Sequence, residues 1–507
     1  MSAIIDALLS AALTLFSWPT ILYVVIGAML GMLFGLLPGL GGPILLSLLI
    51  PVTYGFDPEA AIVLLAGSLG GVAFGGSITA ILINTPGTPP NAATTFDGYP
   101  LARQNRAGEA LGISATASAL GAMFGLIVLA LLIPVAREVI LAFSPPEFFW
   151  IAVLGLTVIA FVAQGSFLKG LVSGGLGLLI SFIGFSGVVG TYRFGFGTEV
   201  LWGGIELIAA LIGLFAIAEV IKLTVEETES IADKEQAAVS GGRLKGVKTV
   251  FKHWNVFGRS ALIGTITGII PGAGGTVANF IAYIQAAQTS DNPEKFGHGA
   301  VEGVIASEAS NDAKDGGSLL PTLVFGIPGS ATAAVLLAGL ILHGVNPGQD
   351  LLTSELPTLF LLLLALLVAN LVTSLIGVSI ANQLAKITHV PVQLLIPVVL
   401  TLSLVGAYAL RSNMFDVFVA VAFGFLGYGM VIYDYSRVAV IIALVLGPLM
   451  ENSFIQSLQM SDSGYWIFVT RPISFVLALL IVLMLVMPLV RSIVSLNGIK
   501  PTLRGGS

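Results

Sequence analysis

A proline–glycine interruption stands inside an apolar run that is otherwise long enough to form a membrane helix. Residues 35–43 read Gly-Leu-Leu-Pro-Gly-Leu-Gly-Gly-Pro, and residues 268–275 return as Gly-Ile-Ile-Pro-Gly-Ala-Gly-Gly. Lipid tails offer no hydrogen bonds, so the backbone groups that a broken helix frees must find partners inside the protein. One such break is compatible with a packing kink, whereas two copies of the same break indicate that it shapes a site.

The composition is that of a membrane protein: of the 507 residues, 56% are hydrophobic and 9% are charged. Soluble domains carry about 25% charged residues, and apolar runs of about 20 residues, the length of a helical span, recur along this chain. A transmembrane barrel would show shorter, alternating segments. We therefore predict an all-α polytopic membrane protein with about 11–14 transmembrane helices. The chain has no cysteine, which excludes disulfides and thiolate metal sites.

A second break ends the next apolar run in each half of the chain. Residues 84–91 read Asn-Thr-Pro-Gly-Thr-Pro-Pro-Asn, and residues 326–332 read Gly-Ile-Pro-Gly-Ser-Ala-Thr. Measured between their Pro-Gly prolines, the first breaks are 233 residues apart and the second breaks are 242 residues apart. Matching breaks in the same order predict an internal repeat with discontinuous helices, an architecture typical of secondary transporters.

Positive charge orients the two copies. Residues 1–19 contain no Lys or Arg, whereas residues 222–259 contain seven. The loop after the first pair of breaks holds Arg103 and Arg106, and the equivalent loop, residues 343–355, holds neither Lys nor Arg. Because Lys and Arg are enriched in cytoplasmic loops, we predict inverted copies, with the N-terminus outside and the C-terminus in the cytoplasm. The predicted segments are 1–19 (extracytoplasmic or interfacial), 20–221 (first transmembrane repeat), 222–257 (cytoplasmic hydrophilic linker), 258–490 (second repeat plus an extra C-terminal span) and 491–507 (cytoplasmic tail).

The ends of broken helices can bind ions. Where a half-helix starts, free N–H groups and the positive end of the dipole attract anions. Where one ends, free carbonyls suit Na⁺, a hard cation that prefers oxygen. No Lys or Arg lies within the four breaks, so we expect an anionic substrate to be neutralised by helix N-termini, hydroxyls and a bound cation. No structural metal or cofactor is predicted, and the choice between Na⁺ and H⁺ as coupling ion stays open.

Three groups of candidate site residues follow from the breaks. Those predicted to bind substrate or ion are Asn84, Thr85, Gly87, Thr88, Gly326, Gly329, Ser330 and Thr332. Those predicted to frame the breaks are Pro38, Gly39, Gly41, Pro271, Gly272 and Gly274. Those predicted to act in coupling or to support the site are Thr276, Asn279, Glu308, Asn311 and Asp312.

Other classes of membrane protein fit less well. An ATP-driven pump needs a phosphate-binding loop of the form G-x-x-x-x-G-K-[ST], and the sequence has none. An intramembrane protease needs a nucleophile with its base or an H-E-x-x-H motif, which is also missing. We therefore expect a carrier and not an enzyme. A channel with re-entrant loops stays an alternative, since such loops also build selectivity filters, and so does an exchanger that works without a binding protein.

The motifs resemble those of the large membrane subunit of tripartite tricarboxylate transporters, the TctA family. They lie at residues 35–42, 75–87, 96–100 (Phe-Asp-Gly-Tyr-Pro), 271–275 and 326–332. The resemblance implies a multi-pass protein of the bacterial inner membrane that works with a small TctB-like membrane subunit and a periplasmic TctC-like solute-binding protein. It also implies cation-coupled uptake of di- or tricarboxylates such as citrate. Lipid and an organic carboxylate are thus expected partners, and nucleic acid is not.

Overall fold

The computed structural model describes residues 2–162, 166–226, 241–272, 274–389, 392–462 and 464–496. In the first half the helices are α1 (Ser2–Leu15), α2 (Thr20–Leu36), α3 (Gly42–Thr53), α4 (Pro58–Ile83), α5 (Ala92–Leu101), α6 (Ala107–Leu141), α7 (Pro145–Val162), α8 (Phe167–Ser181), α9 (Leu207–Leu211) and α10 (Ala218–Val225). In the second half they are α11 (Arg243–Lys252), α12 (Trp254–Ile269), α13 (Gly274–Thr289), α14 (Val301–Phe325), α15 (Ala331–Leu342), α16 (Leu356–Ala385), α17 (Val392–Ala409), α18 (Met414–Ile432), α19 (Arg437–Gln459), α20 (Ile467–Thr470) and α21 (Pro472–Leu496).

Shorter elements connect these helices. Strands β1 (Gly184–Ser186) and β2 (Thr191–Arg193) form an antiparallel hairpin between α8 and α9. Single 3-10 or π turns lie at Pro89–Asn91, Ala102–Arg106, Glu199–Leu201, Ile212–Ile217, Pro293–Lys295, Lys386–His389 and Gly464–Trp466. The predicted all-α polytopic membrane fold is confirmed.

The apolar helices include full-length and short ones. Among the described residues, six helices are long and apolar enough to cross a membrane. The number rises to eight if each of two bent helix pairs forms one span. Five further apolar helices have 10–17 residues. The predicted number of 11–14 crossings is therefore reached only if short helices are counted as crossings too. Two of these, α3 and α15, follow breaks and have 12 residues each. At 1.5 Å per residue such a helix reaches about 18 Å, less than the roughly 30 Å of the hydrocarbon core.

The first break has the same backbone shape in both halves. Helix α2 ends at the extended residue Leu37, and helix α12 ends at the extended residue Ile270. Two residues further on, Gly39 has a φ of 88° and Gly272 a φ of 77°. Glycine adopts this left-handed region without steric cost. The repeated Pro-Gly therefore has one physical reason: the proline ends the helix and the glycine turns the chain.

The second breaks also correspond. Helix α4 is capped by Asn84 at φ 55°, and helix α14 is capped by Gly326 at φ 70°. Both are left-handed C-caps, a common helix ending for which glycine and asparagine are the favoured residues. Breaks of the same shape at corresponding positions support the predicted repeat, and the inverted relation of its copies stays a prediction.

Glycines bring the broken helices into backbone contact. A Cβ added at Gly31 in α2 would lie 2.1 Å from the carbonyl oxygen of Ser68 in α4. In the second half, a Cβ at Gly264 in α12 would lie 2.4 Å from the carbonyl oxygen of Ser310 in α14. Small residues at such spacing allow membrane helices to approach closely. Helices α2 and α4, and helices α12 and α14, are therefore tightly joined pairs.

The hydrophilic segment predicted at 222–257 is structured in part. Its residues 227–240 lie outside the described residues. Beyond them, α11 packs on α6, because a Cβ at Gly246 would lie 2.3 Å from the carbonyl oxygen of Glu109. The ammonium of Lys245 lies 2.9 Å from the Glu109 carboxylate. This part of the segment is thus a helix fixed to the membrane-spanning region.

The C-terminal helices are fixed to the first half. The Glu147 carboxylate in α7 accepts hydrogen bonds from Arg471 Nε at 2.8 Å and from Ser474 Oγ at 2.6 Å. Helix α21 continues to Leu496, and the rest of the predicted tail, residues 497–507, lies outside the described residues.

Candidate binding site at the helix breaks

The first break of each half contacts the second break of the other half. A Cβ added at Gly42, where α3 begins, would lie 2.7 Å from Thr332 Cγ2 in the other half. In the equivalent contact, a Cβ at Gly275 in α13 would lie 2.9 Å from Pro90 Cγ. The side-chain amide of Asn279, one turn further along α13, donates to the Pro90 carbonyl at 2.8 Å. Each second break therefore packs on the start of a half-helix from the opposite half.

Two threonines converge at the start of α3. Thr88 Cγ2 lies 3.3 Å from the Cβ position of Gly41, next to the Gly42 position that Thr332 contacts. The second breaks of both halves thus come together at the half-helix that the first break opens. The N-terminus of a helix attracts negative charge through its free N–H groups. This N-terminus and two hydroxyl-bearing side chains therefore share one small region.

Several residues predicted to bind a ligand hold local contacts. Ser330 Oγ accepts a hydrogen bond from the backbone N–H of Ala333 at 3.1 Å and so caps α15. Thr85 Oγ1 donates to the carbonyl of Ile83 at 3.4 Å. A Cβ at Gly87 would lie only 1.9 Å from the carbonyl oxygen of Gly35. These residues give the breaks their shape.

The framing residues join the two breaks of a half. In the second half, the Gly272 N–H donates to the Gly329 carbonyl at 3.0 Å, and the Gly329 N–H donates to Thr322 Oγ1 at 3.3 Å. In the first half, Gly39 faces Glu219 of α10, whose Oε1 lies 2.7 Å from the Cβ position of the glycine. Pro38 and Pro271 are half-buried in the connections, and Gly274 is the first residue of α13.

Among the predicted residues, Glu308 has the most polar environment; it is the eighth of the 25 residues of α14. Its carboxylate is fully buried and accepts hydrogen bonds from Ser77 Oγ at 2.7 Å, Ser114 Oγ at 2.8 Å and Ser118 Oγ at 2.9 Å. Thr94 Oγ1 is a fourth donor. A charged carboxylate away from water is stable only when hydrogen-bonded or paired. Four hydroxyls from α4, α5 and α6 supply that stabilisation.

One turn further along α14, polar atoms lack partners. Asp312 is 2% exposed and Asn311 is 1% exposed. Within the described residues, neither Asp312 Oδ2 nor Asn311 Nδ2 has a hydrogen-bond partner. Leaving a buried polar group unpaired costs about 1–3 kcal/mol. Asp312 Oδ2, four residues after Glu308 on α14, can therefore still accept a cation or a proton, whereas Asn311 Nδ2 can only donate. Asn279 is not open, because Ser310 Oγ donates to its Oδ1 at 3.0 Å. Thr276 is half-buried in the first turn of α13.

Lys314 is the residue that reasoning from the breaks missed. It lies outside all four breaks in sequence, but its Cε lies 2.1 Å from the Cβ position of Gly275. Its ammonium forms an ion pair with Asp315 Oδ1 at 2.7 Å. The available signal was a lysine in the middle of a helix that pairs with other membrane helices, because such ionisable residues are usually functional.

The chain is similar to known proteins. Residues 21–442 match the family described as the tripartite tricarboxylate transporter TctA family. The chain belongs to this family. An uncharacterized 52.8 kDa protein from the TAR-I ttuC' 3' region of Agrobacterium vitis is 33% identical to it over 486 residues, 93% of this chain and 94% of the relative. An uncharacterized protein from the TAR-II ttuC' 3' region of the same organism is 32% identical over 233 residues, 45% of this chain and 96% of the relative. No solved structure matches.

One TctA-like motif has a structural role in this family member. Asp97, in the motif at residues 96–100, is fully buried and accepts hydrogen bonds from the N–H groups of Gly297, Gly299 and Ala300 at 2.8–2.9 Å. Tyr283 donates its hydroxyl to the same carboxylate at 2.8 Å. The motif thus fixes the loop that leads into α14 and with it the position of Glu308.

The substitution Asp97→Ala is expected to lower the melting temperature of the purified protein in detergent. It removes the acceptor of three backbone N–H groups, and each hydrogen bond to a charged group contributes about 1.5–3 kcal/mol. Tyr283→Phe is the matched control, since it removes one of the four bonds and should cause a smaller decrease. Equal melting temperatures for wild type and Asp97→Ala would contradict this role.

Proposed function

We propose that this chain is the large transmembrane subunit of a tripartite, binding-protein-dependent secondary transporter that imports di- or tricarboxylates by cation symport. The proposal rests mainly on the position of two buried carboxylates, Glu308 and Asp312. Both lie on α14, near the region where the breaks of the two halves contact each other. Membership in a transporter family described as tripartite supports it. The chain then acts by binding and release, and we expect no enzymatic activity.

The substrate site lies where the second breaks meet the starts of α3 and α13. The positive dipole ends of these half-helices favour the carboxylates of a substrate such as citrate. At α3 the dipole carries most of this effect, because Pro43 has no N–H and the Ile44 N–H donates to the Gly41 carbonyl. The Thr332 hydroxyl lies beside the start of α3. Thr88 places its methyl group there and donates its hydroxyl to Asn91 Oδ1. Helix ends and hydroxyls bind an anion less tightly than a cluster of arginines would, which suits a carrier that must release its substrate on the other side of the membrane.

The coupling cation occupies the Glu308–Asp312 region. Glu308 is surrounded by four hydroxyls, and Asp312 Oδ2 is unpaired within the described residues. Hydroxyl and carboxylate oxygens are ligands for hard cations, which suits Na⁺. A carboxyl group can also carry a proton across, so H⁺ is the second candidate for the same position.

The other two components follow from the family. We propose a small TctB-like membrane subunit and a periplasmic TctC-like protein that captures the substrate and delivers it to this chain. The location is then the bacterial inner membrane, with the N-terminus outside and the C-terminus in the cytoplasm, as the distribution of Lys and Arg indicates. The binding protein selects the substrate, and this chain moves it.

Uptake of radiolabelled citrate into proteoliposomes tests the proposal. The vesicles contain this chain with its small subunit, the binding protein is added outside, and Na⁺ and H⁺ gradients are imposed separately. We expect saturable accumulation that requires the binding protein and one of the two gradients. Ohmic flux that ignores both gradients would show a channel, and exchange of citrate for internal citrate without the binding protein would show an exchanger. Either result would overturn the proposal.

A further inference from the structure

Lys314 and Asp315 form an ion pair on α14 that neither the coupling site nor the helix breaks account for. We propose that Lys314 binds a carboxylate of the substrate, which takes the place of Asp315 as the partner of the lysine ammonium. This inference rests on the proposed function, and it identifies a basic residue that contacts the substrate.

The position of Lys314 on α14 is the first argument. It is the fourteenth of 25 residues, and α14 packs against α5, α6, α12 and α13. A charged lysine buried among packed helices is costly unless its charge has a partner. Its side chain is 13% exposed, so it faces the protein interior.

The course of the side chain is the second argument. Around the Cβ position of Gly275, Lys314 Cε lies at 2.1 Å, Lys314 Cδ at 2.6 Å and Pro90 Cγ at 2.9 Å. The lysine therefore passes the first turn of α13 at the point where the second break of the other half packs. Gly275 leaves the space for it, because any side chain there would displace the lysine stem.

The electrostatics of this position favour an anion. The N-terminus of α13, a helix of 16 residues, carries the positive end of its dipole. The lysine stem runs past this turn, so two positive groups share one region. A carboxylate placed between them interacts favourably with both, and a substrate with two or three carboxylates can do so while its other groups contact the threonines at α3.

The present partner of Lys314 is suited to exchange. Asp315 is its neighbour in sequence, and adjacent residues on a helix do not face each other, so both side chains must bend to make the 2.7 Å contact. Asp315 is 22% exposed, whereas the carboxylate of Glu308 is fully buried. The pair thus protects the lysine charge when no substrate is present and stays accessible to a competing carboxylate.

Two substitutions in the pair distinguish substrate binding from a structural ion pair. Lys314→Gln is expected to raise the KM for citrate at least about tenfold, since a charge-assisted hydrogen bond to the substrate is lost. Asp315→Asn removes the competitor and is expected to leave this KM unchanged or lower it. If the ion pair were only structural, both substitutions would raise the KM for citrate equally. That result would overturn the proposal.

A third variant tests the geometry. Gly275→Ala is expected to raise the KM as Lys314→Gln does, because the new methyl group displaces the lysine stem. Gly174→Ala in α8, where no atom lies within 4 Å of the Cβ position, is the matched control and should keep the wild-type KM. A wild-type KM for Gly275→Ala would contradict the proposed course of the side chain.

A binding measurement separates this proposal from the proposed function. Citrate should raise the melting temperature of the wild-type chain, since a ligand that binds only the folded state stabilises it, and of Lys314→Arg, but should have little effect on Lys314→Gln. If the wild type neither binds nor transports citrate, the proposed function fails. If the wild type transports citrate and Lys314→Gln matches its KM and its stabilisation, only the role of Lys314 fails.

Discussion

Glu308→Gln is expected to reduce citrate uptake about a hundredfold, because several charge-assisted hydrogen bonds at about 1.5–3 kcal/mol each depend on the carboxylate. Glutamine keeps the shape of the side chain, but it has no charge to hold a cation and cannot carry a proton. Its amide group also adds two donors to a site where Ser77, Thr94, Ser114 and Ser118 already donate. The measurement is the initial rate of gradient-driven uptake into proteoliposomes, normalised to the amount of inserted protein.

Glu302→Gln is the matched control for this experiment. Glu302 lies in the first turn of the same helix, and its side chain is 22% exposed. It accepts a hydrogen bond from Ser290 Oγ and lies 3.9 Å from His253 Nε2. A glutamine keeps an acceptor for Ser290, so uptake should stay within about twofold of wild type. Wild-type uptake by Glu308→Gln under both gradients would remove Glu308 from the coupling mechanism.

Gly87→Ala is expected to destabilise the protein more than an alanine at any other glycine of the breaks. Its Cβ would lie 1.9 Å from the carbonyl oxygen of Gly35 and 2.6 Å from the Cα of Gly76. These are backbone atoms that cannot rotate away, so the second break must move off α2 and α4. Overpacking of this kind typically costs about 1–3 kcal/mol and sometimes more, which thermal unfolding in detergent would detect as a lower melting temperature.

The equivalent position in the second half provides a graded comparison. A Cβ at Gly329 would lie 2.6 Å from Ser318 Oγ, which can rotate, and 2.8 Å and 3.0 Å from two backbone atoms, Ser318 Cα and the carbonyl oxygen of Gly268. These backbone distances are longer than the 1.9 Å and 2.6 Å at Gly87. Gly329→Ala should therefore destabilise less than Gly87→Ala. Gly429→Ala in α18, with no atom within 4 Å of the Cβ position, should be neutral. A Gly87→Ala protein as stable as the Gly429→Ala protein would contradict the contact between the breaks.

The sequence was sufficient to locate the four breaks because their cause is local. Proline removes a backbone donor and glycine permits positive φ, so Gly39 and Gly272 take the same conformation wherever the rest of the chain lies. The membrane class was predictable for a similar reason, since the length and apolar content of each run decide whether it can cross lipid.

The polar contacts of the site depend on how helices are rotated against each other, and no local pattern reports that rotation. Ser114 and Ser118 look like small residues for helix packing until α6 is placed against α14, where both donate to Glu308. Lys314 lies far in sequence from Gly275 and Pro90, and only the tertiary fold brings them together. Asn84 is a predicted binding residue because it opens the second break, whereas its left-handed φ shows a part in ending α4.

The glycine contacts between α2 and α4, and between α12 and α14, restrict which parts of the molecule can move. Where backbones interlock, a small sliding motion would drive a carbonyl oxygen such as that of Ser68 into the neighbouring helix at Gly31. Each pair therefore behaves mechanically as one stiff body that carries its breaks with it. Any rearrangement that exposes the site first to one side of the membrane and then to the other must occur at looser interfaces, such as that between α15 and α19.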